Sequence, residues 1–180
     1  MRADAARNVE KVLSTGAQLL AQDPSTPITA IAAAAGVDRR TVYRQFESRE
    51  QLLAAIYQAR LDAVETAIDT ARLTEAPVAV ALHRYVEGII TVTRAWPVEL
   101  QRMRADSAIR DRRAGFIAQV AAFIQRAVDE GFFRAGLPDG WIESLLRSVI
   151  HIAADEFPEI GAARAADLAV DSLLRGIGQR

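Results

Sequence analysis

Thr29-Ala-Ile-Ala-Ala-Ala-Ala-Gly36-Val37-Asp38-Arg39-Arg40-Thr41-Val42-Tyr43-Arg44-Gln-Phe46-Glu-Ser48-Arg49 is the stretch that decides the reading. Alanine is the best helix former, and Thr29 is a plausible N-cap for a helix over 30–35. Gly36 suits the left-handed position just past that helix end. Asp38 then caps a second short helix, from Arg39 to about Gln45. Ser48-Arg49-Glu50-Gln51 is a capping box in which Gln51 reaches back to the cap amide, and it starts a third helix. Two short helices joined by a tight glycine turn define a helix-turn-helix arrangement.

The apolar positions say which faces turn inward. Ile31, Ala32, Ala35 and Val37 pack the first short helix and the turn, while Val42 and Phe46, four apart, pin the second helix to a core. The opposite face then presents Arg39, Arg40, Thr41, Tyr43 and Arg44 to solvent. Guanidinium forks match guanine edges, and hydroxyls and arginines match phosphates, so this is the side-chain set a major-groove reader needs.

Outward from this stretch the chain continues as helix. Upstream, Val9, Val12, Leu13, Ala17 and Leu20 follow an i, i+3, i+4 stripe that Asp23-Pro24 stops. Gly16 inside that helix is expected at a close helix crossing. Downstream, Leu53, Tyr57, Leu61, Val64, Ile68 and Ala71 keep one face of a long helix apolar to about Arg72. Beyond a break at Leu73–Pro77, helical patterns cover Val78–Ala95, Val98–Ile109, Arg113–Glu130, Trp141–Glu156 and Ala162–Ile177, punctuated by Pro97, Gly131, the Gly136–Gly140 turn and Pro158. The expected fold is all-α. Its parts are a helix-turn-helix domain over 1–48 and a helical domain over 49–180, linked by the helix 49–72.

Composition narrows the function classes. Of the 180 residues, 51% are hydrophobic and 25% charged, as in an ordinary globular protein, and no cysteine is present. Disulfides, thiolate catalysis and cysteine-ligated metals are thereby excluded. No apolar run approaches the ~20 residues a membrane-spanning helix needs, and Met1-Arg2-Ala3-Asp4 leads into no apolar signal core, so a cytoplasmic location away from membranes is expected. The formal net charge of −1 hides an asymmetry: residues 1–60 carry eight basic and six acidic groups, the remainder 14 and 17. Four of the N-terminal arginines fall within 39–49. An all-α enzyme finds little support, with no nucleophile elbow, no phosphate-cradling glycine loop and no inward Glu-x-x-His motif. A helical protein-interaction module, docking the arginine face on an acidic partner, is the remaining alternative.

The segment resembles the N-terminal DNA-binding domain of the tetracycline-repressor (TetR) family of bacterial regulators. Thr29, Ile31-Ala32, Ala35-Gly36-Val37, Asp38, Thr41-Val42-Tyr43, Phe46, Arg49 and Leu52-Leu53 fall in the family's register, and Val12-Leu13 and Leu19-Leu20 sit where its first helix has apolar pairs. The match covers about 12–53. Asp23-Pro24 departs from the usual glycine, and Arg40 stands where glycine or alanine is usual. Arg40 adds either a guanine contact or another phosphate clamp.

The resemblance implies a dimeric transcriptional repressor, not an enzyme, bound to a palindromic double-stranded operator. Thr29, Thr41, Tyr43 and Arg49 would contact backbone phosphates, and Arg39, Arg40 and Arg44 base edges. It also implies a C-terminal dimerisation and effector region. There the residues point to Trp141, Leu145, Val149 and Ile152, together with Ala165, Leu168, Ala169, Ser172, Leu173 and Gly176, as an intermolecular four-helix face. An effector pocket, if present, would draw on Tyr85, Ile89, Trp96, Met103, Phe116, Val120 and Phe123, with Phe132 or Phe133 beside them, and so accept a hydrophobic or amphipathic compound. No cofactor is expected. His83 with Glu87 and His151 with Asp155 are spaced i, i+4. That spacing serves a local imidazole–carboxylate hydrogen bond before a metal, and no metal site is expected. Arg102, Arg104, Arg110, Arg112 and Arg113, interleaved with Asp106 and Asp111, are expected as a solvated salt-bridge network at a helix boundary, with a second anionic site as the weaker alternative.

Overall fold

The computed structural model describes residues 2–98 and 107–177, with side chains from 6 to 176. Every element of regular structure in them is helical: α1 (Arg2–Gln22), α2 (Ile28–Ala34), α3 (Arg39–Gln45), α4 (Arg49–Ala71), α5 (Val78–Ala95), α6 (Ser107–Asp129), α7 (Trp141–His151) continued by a π-helical turn (Ile152–Glu156), and α8 (Ala162–Ile177). The fold class is the one the periodicity predicts. The chain forms two compact units, Met1–Asp62 with Ala95–Arg110, and Ala63–Arg94 with Asp111–Arg180. The division falls within α4.

The first unit is built on the apolar stripe of α1. Val12, Ala17 and Leu20 are buried, together with Ile28, Ile31 and Ala32 of α2, Val42 of α3, and Leu52, Ile56 and Leu61 of α4. Gly16 lies where a Cβ would come within 2.9 Å of Ile56 Cδ1 and 3.4 Å of Ile31 Cγ2, so α1 can approach its neighbours only without a side chain there. The expected close crossing is present. Residues 95 and 96 join this unit through hydrogen bonds from Gln18 Nε2 to the Ala95 carbonyl (3.2 Å) and from Arg60 to the Trp96 carbonyl.

In the second unit α4 and α5 meet at a comparably close point. A Cβ on Gly88 would stand 2.9 Å from Ala67 Cβ and 3.5 Å from Ala67 Cα. Phe123, Ile124, Phe133, Leu146 and Leu173 fill the core with Leu82, Val86 and Ile90 of α5. Arg94 closes the end of this unit. Its guanidinium donates to the carbonyls of Ala153 (2.7 Å), Ala154 (3.3 Å), Phe157 (3.0 Å) and Ile160 (2.6 Å). Those carbonyls belong to the π-helical turn and the segment after it, where the ordinary helical donors have run out and Pro158 cannot continue the helix. An expectation of one α-helix from Trp141 to Glu156 is therefore corrected: the last turn is widened, and a cation from α5 meets its carbonyls.

Three local expectations also change. Pro27, not Thr29, is the N-cap of α2, and no side chain caps it; the helix starts earlier because proline's fixed φ suits the entry to a helix. Gln51 does reach back, but its Oε1 accepts from the Glu47 amide (2.9 Å), one residue before the expected cap amide, while Ser48 Oγ accepts from the Gln51 amide (3.2 Å). The boundary expected between Ile109 and Arg113 is absent, for α6 runs unbroken from Ser107. Charged residues without glycine or proline do not break a helix, and Arg112 pairs with Glu65 of α4 at 2.5 Å. Of the arginine-rich cluster, Arg102, Arg104 and Asp106 lie outside the described residues, as does most of the expected Val98–Ile109 helix.

Gly88→Ala is expected to lower stability by about 1–2 kcal/mol, since the helix-propensity gain of about 1 kcal/mol is outweighed by pushing the α5 and α4 backbones apart. Gly115→Ala, on α6 with nothing within 4 Å of the new Cβ, is expected to raise it by about 0.5–1 kcal/mol. Paired thermal unfolding curves check both signs.

Candidate nucleic-acid interface

Three local devices hold α3 in place. Gly36, at φ +66°, turns the chain out of α2. The Val37 amide donates to the Ala32 carbonyl (3.0 Å) and the Gly36 amide to that of Ala33 (3.1 Å), the paired bonds of a Schellman motif. Asp38 Oδ1 accepts from the Arg40 amide at 2.8 Å and caps α3 as expected. Val42 and Phe46 are buried and set the rotation of α3 about its own axis.

With that rotation set, Arg39, Arg40, Tyr43 and Arg44 are exposed, Tyr43 at 38% of its full area, while Thr41 and Thr29 are half-buried. The guanidinium of Arg39 lies over the Tyr43 ring, 5.2 Å from its centroid. Among the described residues no carboxylate forms an ion pair with Arg39, Arg40 or Arg44. Asp38 is occupied by the cap, and Glu47 is bonded to Gln51. A net positive face of unpaired guanidinium groups raises the local concentration of polyanions.

Arg49 behaves differently from the other arginines. It is half-buried, and its guanidinium donates to the carbonyls of Thr26 and of Pro24 (2.5 Å for the latter). It ties the start of α4 to the turn after α1. In that turn the Ser25 hydroxyl and amide donate to Asp23 Oδ1 (2.7 and 2.8 Å) and hold the Asp23 carboxyl below its usual range, with the Arg49 charge adding to the effect. Sequence reasoning missed this clamp, because its partners are main-chain carbonyls 23 and 25 residues away.

The residues expected around an effector divide between the units. Trp96 belongs to the first, and Met103 lies outside the described residues. In the second, Phe116 and Phe123 are buried, and Tyr85, Ile89 and Val120 are half-buried. Burial pushes the Tyr85 phenol up to about 12, so it stays protonated as a neutral hydroxyl. An apolar cavity of about 260 Å³ lies elsewhere, between α7, the π-helical turn and α8. Val149, Ile152, Ala165, Leu168, Ala169 and Ser172 line it, and these are residues expected to face a second copy. The small-residue stripe of α8 is split: Ala165, Ala169 and Leu173 are buried within the unit, while Leu168 (43% exposed), Ser172 and Gly176 face outward. Leu145 is half-buried, and Trp141 and Ile152 are 54% and 49% exposed.

His83 Nε2 lies 2.9 Å from Asp167 of α8 and its Nδ1 3.9 Å from Glu87; His151 Nδ1 lies 2.5 Å from Asp155. Among the described residues no cluster of three or more ligating side chains is placed to hold a metal ion, and no helix is long and apolar enough to cross a membrane.

A capped, core-anchored second helix with an outward basic face, following a glycine turn, completes a helix-turn-helix motif. Residues 12–56 match the family described as bacterial regulatory proteins, tetR family. A relative, the HTH-type transcriptional repressor LfrR of Mycolicibacterium smegmatis, is 40% identical over 81 residues, 45% of this chain and 43% of that protein, so the match spans less than half of the relative. The whole chain is similar in fold to the TetR-like transcriptional regulator LfrR from Mycobacterium smegmatis in complex with proflavine (26% identity, 97% and 99% of the two chains, TM-score 0.68). It is also similar to the ketosteroid transcriptional regulator KstR2 of Mycobacterium tuberculosis (18%, 96% and 95%, TM-score 0.81). Residues 12–56 thus carry a segment of the TetR-family type, and the chain as a whole shares the fold of TetR-like transcriptional regulators.

Asp38→Ala is expected to cost about 1 kcal/mol of stability through loss of the α3 cap, and Asp38→Asn close to nothing, because the amide oxygen caps equally well. Chemical denaturation of the two variants distinguishes this from a loss of charge, which would affect both alike.

Proposed function

We propose that the chain is a homodimeric repressor that holds a palindromic operator in the cytoplasm and is released from it by a small hydrophobic or amphipathic effector. The observation that carries this reading is the set of unpaired arginines on the outward side of a helix whose cap and buried anchors leave it no freedom to turn. The repressor named among the relatives supports the direction of regulation. Thr29, Thr41 and Tyr43 flank the arginines as phosphate contacts. Arg49 supports the same surface indirectly, by fastening the turn after α1 to α4.

The second copy is assigned to the outward face of α7 and α8. Trp141, Ile152 and Leu168 are large, apolar and exposed there, beside an apolar cavity. A face of this kind is covered by a partner in a soluble protein. An isologous pairing makes it a four-helix bundle and sets two reading helices on successive major grooves ~34–36 Å apart. The effector is assigned to the helices of the second unit, with Tyr85 as a neutral hydroxyl among Ile89, Phe116, Val120 and Phe123. The LfrR complex with proflavine supports an aromatic compound in such a role. Because α4 belongs to both units, an effector with higher affinity for one setting of α4 biases the reading head to which it is joined.

Purified protein is expected to be a dimer by light scattering at micromolar concentration. Ile152→Glu with Leu168→Glu is expected to give a folded monomer whose operator affinity is lower by about 10²- to 10⁴-fold, the loss of the intramolecular second half-site. A monomeric wild type overturns the dimer reading. Operator binding is expected to fall linearly with the logarithm of salt concentration, and to exceed random-duplex binding by roughly 10³-fold or more. Equal affinity for both duplexes overturns the regulator reading.

A further inference from the structure

The exposed face of α3 is two surfaces, and the arginines on it divide accordingly. Val42 and Phe46 are buried, so the direction midway between them points into the core. At ~100° per residue, Arg44 stands diametrically opposite that direction, and Arg40 lies about 40° round from Arg44. Tyr43 lies about 100° round from Arg44 and Arg39 about 140°, both on one flank. The pairing of the Arg39 guanidinium with the Tyr43 ring at 5.2 Å keeps both side chains on that flank. Thr41, half-buried, occupies the other flank.

A helix laid in the major groove offers its crest to base edges and its flanks to the phosphate walls. We propose that Arg40 and Arg44 alone read bases, each taking a guanine, and that Arg39 and Tyr43 act together as a phosphate clamp without sequence preference. Arginine is the bidentate partner of guanine O6 and N7. The two crest residues are four apart, a rise of ~6 Å along the helix, and base pairs stack at ~3.4 Å, so the two guanines lie about two base pairs apart in each half-site. Neither crest arginine has an ion-pair partner among the described residues, so no carboxylate must be displaced before it reaches a base. The division rests on the DNA-reading function proposed above and narrows it: Arg39 leaves the set of base readers, while Arg40 stays in it as a guanine contact and not a phosphate clamp.

The test is selection of duplexes from a fully randomised library by the full-length protein, followed by the same selection with Arg40→Ala, Arg44→Ala and Arg39→Ala, each verified as folded by circular dichroism. The wild type is expected to enrich half-sites with two G·C pairs about two base pairs apart. Arg40→Ala and Arg44→Ala are each expected to lose preference at one of these positions by about tenfold or more, and at a different one. Arg39→Ala is expected to weaken all duplexes by a common factor and leave the preference profile unchanged. Enrichment of sites without spaced guanines overturns the proposal, as does an intact profile in Arg40→Ala or a position-specific loss in Arg39→Ala. If the wild type enriches no sequence at all, the regulator reading fails with it, and that outcome is distinct from enrichment of a different motif.

Discussion

The burial of Val42 and Phe46 on one side of a two-turn helix is the constraint from which the functional surface follows. A helix of seven residues has little stability of its own, because nucleation is costly and few hydrogen bonds repay it. α3 persists because Asp38 caps the Arg40 amide and because two buried apolar side chains fix its rotation where it packs on α1 and α2. Everything on its far side is thereby aimed. Loss of either anchor would leave the arginines present and the surface undefined.

Arginine does several different jobs in this chain, and burial separates them. On α3 the guanidinium groups are exposed and, among the described residues, lack carboxylate partners, the condition for binding a polyanion. Arg49 and Arg94 instead meet main-chain carbonyls that helix ends and turns leave without donors. Arg112 is engaged with Glu65, and its guanidinium lies over Phe116. A planar group with five donors suits the carbonyl role, since one side chain satisfies several oxygens at once. The same residue type thus fastens loops inside the molecule and faces solvent on α3.

The second unit is less specific in its chemistry. Its outward apolar residues lie on α7, the π-helical turn and α8, and its aromatic residues lie on α5 and α6. The widened last turn of α7 places Ala153 and Ala154 inward while Ile152 stays exposed. That outward apolar side is the surface assigned to a second copy, whereas the aromatic interior is assigned to an effector.

Local chemistry made much of this legible. Cap residues, the left-handed glycine and apolar periodicity act between neighbours in the chain, so the limits of α3, α5 and α8, the turn at Gly36 and the buried faces of α1 and α3 follow from residue order alone. The crossing at Gly16 was legible for the same reason, because a glycine inside a helix needs a cause. What only the tertiary structure decided involves partners remote in the chain. Arg49 on the carbonyls of Pro24 and Thr26, Arg94 beneath the π-helical turn, and the α8 stripe split into a buried and an outward half all depend on which helix lies next to which. Side-chain periodicity records that a face is apolar; it carries no information on whether the face is covered by the same chain.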